Sequence, residues 1–188
     1  QVHDGLQKTY PGRFKKRFPA AIELHVTMDL LSGSIDYLSI GADTETERPH
    51  APKATSLNGM LLLTDAGYFD RKKIISIEQQ GGYTITQAAC SINPIVKAAY
   101  NFQGKTIKTA AGKKLNTLKL KNKNSTLELS GRGPGYDVDF RGIAFWYKKK
   151  KRIGYLVTNL ARETVPASDV VELYRLRWQI ELLFKELK

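Results

Sequence analysis

The stretch YRLRWQIELLFKELK, residues 174–188, carries two patterns at once. At about 100° per residue, Tyr174, Arg177, Glu181 and Lys188 fall within one arc of roughly 60° on a helical wheel. Leu173, Leu176, Ile180, Leu183, Phe184 and Leu187 fill the neighbouring arc, the apolar face of a helix packed on a core. The polar stripe therefore borders the buried face, although solvent would accept Arg, Glu and Lys anywhere else on the circumference. Spacing alone leaves two readings open. Arg177 and Glu181, four apart, form an ordinary surface pair, or the row is functional, and the rest of the chain must decide.

With 188 residues and 41% hydrophobic content, the chain can build one domain with a real core, with or without an insert. A net charge of +12 and a pI near 9.7 call for a polyanionic partner, nucleic acid or an anionic membrane surface. No apolar run approaches membrane-spanning length, and the N-terminus lacks a signal or transit pattern. Nucleic acid is thus the expected partner, with no membrane. The single cysteine, Cys90 in ITQAACSI, forms neither an internal disulfide nor a CxxC site, which fits a reducing cytoplasm. His3, His25 and His50 are scattered along the sequence, so no zinc site of His and Cys is expected. The chain begins at Gln1 and stops within a helical pattern, and reads as an excerpt of a longer protein.

Working back from the C-terminal stretch, PASDVVELYRLRW opens one long last helix, with Ser168 as N-cap and Asp169 and Glu172 near its positive end. IGYLVTNL before it is a strand. Near the N-terminus, AIELHVTM and IDYLSIGAD flank the turn DLLSGS, a hairpin signal with Ser32 and Gly33 in the turn. KATSLNG is a candidate short helix. MLLLTD is a continuous apolar run, expected as a central strand buried on both faces. It ends in Asp65, a carboxylate where a strand leaves the sheet, the usual ligand position in α/β folds. FDRKKIISIEQQGG reads as a helix ended by glycines and YTITQAA as a further strand.

From residue 94 to 151 short alternating strands joined by Gly and Asn turns suggest a β-rich basic insertion. Between Lys97 and Arg132 nine Lys or Arg face one acid, Glu128. In LKLKNK alternation puts Lys119, Lys121 and Lys123 on one strand face, either a path for a DNA backbone or a lysine-guarded sheet edge. FWYKKKKR, residues 145–152, is read as a core strand running into a solvated turn in preference to a base-stacking patch. The expected organisation is a core in two parts, 1–93 and 152–188, around the insertion at 94–151.

These segments resemble one family. YRLRWQIELLFKELK matches all four positions of Y-x2-R-x3-E-x6-K, the signature of the insertion-sequence-four family of DDE transposases. TDAGYFD resembles that family's second-aspartate segment. VHDGLQKTY is similar to its first-aspartate segment, with Leu6 standing where the family usually has a small hydroxyl residue.

The resemblance implies an α/β, ribonuclease-H-like mixed sheet with flanking helices and a β-rich insertion before the last catalytic helix. It implies catalytic, metal-binding carboxylates at Asp4, Asp65 and Glu181, with Asp29 in the turn MDLLSG held in reserve for the first. Cleaving a phosphodiester needs an activated water and a leaving oxygen whose charge is met, which two divalent cations about 3.5–4 Å apart supply. Hard Mg²⁺ takes such oxygen ligands, with Mn²⁺ able to substitute. Tyr174, Arg177 and Lys188 are then expected on phosphates flanking the scissile bond, and Trp178 either stacks an end base or packs. The activity implied is cleavage at transposon ends and strand transfer into target DNA by a bacterial, nucleoid-associated protein that self-associates in a synaptic complex. Two alternatives stand beside it: a catalytically inactive transposase-derived DNA-binding module, and a tyrosine recombinase with Tyr174 as nucleophile.

Overall fold

Two stretches of alternating residues meet across a glycine turn near the N-terminus. Strands β1 (Ile22–Met28) and β2 (Ile35–Ala42) pair antiparallel, with Leu24 opposite Ile40 and His25 opposite Ser39. Gly33 takes a φ of 73°, open to glycine at little cost, and so closes the turn. Asp29 completes it, its carboxylate accepting from Leu31 N at 2.9 Å and from Ser32 Oγ at 2.7 Å. The hairpin is as the alternation predicts.

The structure, a computed structural model, describes residues 4–14, 16–88, 93–101, 103–118, 127–132, 140–147 and 152–186. It divides into two compact units, residues 1–53 with 179–188, and residues 54–178. The first holds the β1–β2 hairpin and the short 3-10 turn Asp4–Leu6.

The second unit is built on a six-stranded mixed sheet. Strands β3 (Leu61–Thr64), β4 (Tyr83–Gln87), β5 (Ile95–Tyr100), β6 (Leu127–Arg132), β7 (Phe140–Tyr147) and β8 (Arg152–Thr158) lie in the order β3-β4-β8-β7-β6-β5. β3 and β4 run parallel and the other pairs antiparallel. A parallel pair needs a crossover, and helix α1 (Arg71–Gln79) supplies it. Asp70 caps α1 by accepting from Lys72 N at 2.9 Å, and Gly81, at φ 76°, follows its end. KATSLNG forms only a 3-10 turn, Ala54–Leu57.

One expectation fails at β3. The run MLLLTD was read as a central strand, yet β3 is the outermost strand of its sheet among the described residues. Its faces explain the pattern: Leu62 packs with Ala54, Leu57 and Ile77 on one side, and Leu61 and Leu63 pack with Ile85, Ile143 and Leu156 on the other. A continuous apolar run reports burial of both faces and says nothing about neighbours at both edges. The strands drawn from 94–151, β5, β6 and β7, pair into this same sheet, with β7 between β8 and β6 and its residues Phe145, Trp146 and Tyr147 paired with Gly154, Ile153 and Arg152 of β8.

The sheet alternates its core between two faces. Tyr155 and Val157 of β8 and Ala144 of β7 join Phe69, Ile74 and Val96, whereas Leu156 and Ile143 face Val170 of helix α2 (Ala167–Arg175). The long last helix is the second correction. It is two helices, α2 and α3 (Trp178–Glu186), because Leu176 N and Arg177 N bond back only three residues, to Leu173 O and Tyr174 O at 3.1 Å each. That 3-10 turn advances faster around the axis than an α-helix, and Leu176, placed on the apolar arc by the wheel, is 45% exposed. Pro166, not Ser168, takes the N-cap position. Its carbonyl accepts from Asp169 N and Val170 N, while Ser168 Oγ turns to Asp169 Oδ1 at 3.0 Å. Among the described residues no helix is long and apolar enough to cross a membrane.

Candidate active site at the ends of strands β3 and β4

The parallel register pairs Thr64 of β3 with Thr86 of β4. Asp65 is the first residue beyond β3, and beside it β4 runs one residue further, to Gln87, which still pairs with Leu156 of β8; the two strands lie about 4.8 Å apart. Buried hydroxyls hold this strand end: Thr64 Oγ1 donates to Thr86 Oγ1 at 2.8 Å, and Thr86 and Thr84 share a bond of 3.0 Å. Asn159 pins the other end of β4, accepting from Thr84 N at 2.8 Å and donating to Gly82 O at 2.9 Å. Asp65 is half-buried, and its Oδ1 accepts from Gly67 N at 3.1 Å, the local turn that an aspartate makes with the backbone two residues on.

Tyr174 reaches this same end of the sheet. Its ring packs on the cluster of Ile85, Ile143 and Leu156, and its hydroxyl donates to Gln87 Oε1 in a long bond of 3.4 Å. The Arg177 guanidinium carbon lies 5.8 Å from the Tyr174 ring centroid, at the outer range of a cation–π contact. Asp65, Tyr174 and Arg177 thus belong to one unit, with Trp178, 54% exposed, at its border. Glu181 lies half-buried in the first turn of α3, a favourable place for an acid, and falls in the other unit, as does Asp4, the first residue of the 3-10 turn Asp4–Leu6. Among the described residues no three His, Cys, Asp or Glu side chains are grouped to hold a metal ion. Lys119, Lys121, Lys123 and Lys188 lie outside the described residues, as do His3, Cys90 and residues 148–151.

Asp29 has work of its own. Its carboxylate caps the hairpin turn, and the Leu31 N–H and Ser32 hydroxyl hold its pKa below the ordinary aspartate value.

The sequence reading missed a second polar cluster. His25 and His50 are far apart along the chain, yet their rings stack with centroids 3.8 Å apart and 6° between planes. Ser39 Oγ lies 2.7 Å from His50 Nδ1, and Glu45 Oε2 lies 3.3 Å from His50 Nε2. The hairpin register, centred on the Ser32 turn, already sets His25 opposite Ser39. Nothing in the local pattern signals the return of His50.

The whole chain has counterparts of known kind. A family model described as "Transposase DDE domain" matches residues 2–188. The chain is 26% identical, over 225 aligned residues, to the transposase for insertion sequence element IS231F of Bacillus thuringiensis subsp. israelensis, an alignment that takes in 100% of this chain and 47% of that relative. Its identity to the transposase for insertion sequence element IS1151 of Clostridium perfringens is 25% over 229 residues, covering 98% of this chain and 48% of that relative. The chain spans about half the length of the relatives it matches. With the family model running from residue 2 to residue 188, the chain belongs to the DDE transposase domain family.

Proposed function

We propose that this chain is the catalytic domain of a DNA transposase that cuts phosphodiester bonds at transposon ends and joins the freed 3′ hydroxyl to target DNA. The observation that carries the reading is the match of the DDE domain to residues 2–188, with the signature Tyr174 bonded at the end of β4, the strand paired with β3 from which Asp65 emerges. In this reading residues 1–93 and 152–188 belong to a ribonuclease-H-like core, and residues 94–151 form its basic insertion.

The donor set fits hard divalent cations. Asp4, Asp65 and Glu181 offer carboxylate oxygens, and Asp65 engages one of its two with Gly67 N and none other among the described residues. These three residues would hold Mg²⁺, with Mn²⁺ as substitute; once bound, such ions lower the pKa of water and meet the charge on attacking and leaving oxygens. Tyr174 and Arg177 bind and orient the flanking phosphates, Arg177 by its planar fork of donors. Trp178, largely exposed, offers a face to an unpaired base. Tyr174 has a binding role here and forms no covalent link to DNA. The protein acts on DNA in the bacterial cytoplasm, self-associating to hold two transposon ends.

Glu181→Gln keeps shape and removes a ligand charge. In the full-length protein, metal-dependent nicking of an end-bearing duplex should collapse while DNA affinity holds or rises as repulsion falls. Mn²⁺ binding followed by electron paramagnetic resonance should weaken in Asp65→Asn and Glu181→Gln alike. Parallel loss of binding and cleavage, or unaltered Mn²⁺ binding in both variants, would instead favour a DNA-binding module without catalysis.

A further inference from the structure

Three carbonyl oxygens of the loop between β8 and α2 meet a single guanidinium. Arg141, on β7 directly across from Thr158 of β8, donates from Nη1 to Leu160 O at 2.9 Å and to Ala161 O at 3.3 Å. Its Nη2 donates to Val165 O at 2.7 Å. Val165 precedes Pro166, and a residue before proline is kept out of helical geometry, so its carbonyl stands just ahead of the helical ladder. The loop also bonds to itself, Leu160 N to Thr158 Oγ1 at 3.1 Å and Val165 N to Ala161 O at 3.0 Å. Arg141 therefore ties the approach to α2 onto an inner strand of the sheet.

The next turns of α2 carry that placement to the candidate site. Val170 is fully buried against Ile85, Ile143 and Leu156. Tyr174, in the last turn, packs on the same cluster with its hydroxyl at Gln87. Helix α2 has nine residues, about 13–14 Å of length. A shift at its start is therefore carried to Tyr174 by a short, stiff lever. Only a planar guanidinium with several donors in a fixed fork can meet carbonyls spread over six residues; a lysine ammonium on a flexible stem can meet one or two.

We propose that Arg141 is a positioning residue for Tyr174. By gathering the carbonyls of Leu160, Ala161 and Val165 it sets where α2 begins, and so where the Tyr174 hydroxyl stands over the end of β3 and β4. The inference deepens the transposase reading and rests on it for the phosphate-holding role of Tyr174.

The test uses full-length protein labelled with 3-fluorotyrosine, in wild-type, Arg141→Lys, Tyr174→Phe and doubly substituted forms. The Tyr174 resonance, identified by its loss in Tyr174→Phe, should move in Arg141→Lys while that of buried Tyr155 stays. Metal-dependent nicking should fall roughly ten- to a hundredfold, the scale of a small misplacement, at unchanged DNA affinity. In the Tyr174→Phe background the same substitution should cost less than about twofold, because residues acting through one another are not additive. An unmoved resonance, or equal fold losses in both backgrounds, would overturn the proposal. Arg141→Gln, which keeps a planar donor group, guards against a fold that lysine does not support, and unfolding of both variants would make Arg141 a plain structural residue. Wild-type protein that does not nick would sink the transposase reading, while the fluorine resonance would still decide the role of Arg141.

Discussion

Gly142 shows how tightly single positions are specified near the core. A Cβ built there would lie 2.1 Å from the Tyr155 hydroxyl and 2.4 Å from its ring carbons, because that buried ring crosses the glycine backbone. Burial also pushes the Tyr155 phenol far above its ordinary pKa, so it stays neutral throughout. Gly142→Ala should overpack this contact and lower stability by about 1–3 kcal/mol, read from urea unfolding. The same scale separates two aspartates that each precede a turn. Asp29 spends its carboxylate on Leu31 and Ser32, whereas Asp4 sits in the segment that resembles the first-aspartate motif. Asp29→Asn should leave nicking near wild type and Asp4→Asn should abolish it, each scored on end-bearing duplex. The reverse pattern would hand the first carboxylate to Asp29. No spacing rule distinguishes the two beforehand, since Asp near a turn caps it whether or not it also binds a metal.

At the scale of elements, the hairpin was legible because β alternation and turn chemistry are local, and α1 because its cap and terminal glycines are adjacent in sequence. The split between α2 and α3 was not legible. Every residue from 173 to 180 is compatible with helix, and the three-residue bonds of Leu176 N and Arg177 N have no counterpart in the local pattern. The position of β3 was hidden for the reason given above, that its apolar run reports faces and not edges. The histidine pair was hidden because contact across a hairpin and a following loop has no signature in spacing. It carries a prediction of its own. Burial, then the adjacent His50, hold the His25 pKa below 6.5, while Glu23 and Glu45 oppose the shift. A folded-state pKa depressed below the unfolded value means that the unfolded chain binds the proton more readily. The stabilising contribution of neutral His25 is therefore full above about pH 6.5 and is lost as pH falls through the folded-state pKa. His25→Gln should flatten the fall in unfolding free energy between about pH 7 and 5, measured by urea titration at several pH values. An unaltered pH profile would mean that the stacked pair is silent in this range.

Across the whole molecule, +12 on 188 residues calls for a polyanionic partner, the class to which the proposed DNA substrate belongs. The family was legible because its four-residue signature lies within fifteen positions, while the contact of Tyr174 with Gln87, on the strand beside the end of β3, needed the sheet order to bring it about. The proposed path of DNA along residues 94–151 has a thermodynamic handle. If Lys119, Lys121 and Lys123 share a strand face along the DNA backbone, each neutralises about one phosphate, and log affinity falls with log salt by about 0.9 per contact on B-DNA. Changing all three to Gln in the full-length protein should then flatten the salt slope by up to roughly 3 units. Binding should weaken alike on transposon-end and random duplexes, because phosphates carry no base identity. Surface substitutions of this kind shift stability by about 0.5 kcal/mol or less, so an intact unfolding transition separates lost contact from lost fold. An unchanged slope with intact folding would make these lysines guards of a sheet edge. The DNA path would then be sought along exposed Lys105, Lys108, Lys113 and Lys114, which follow β5 in the described part of the same stretch.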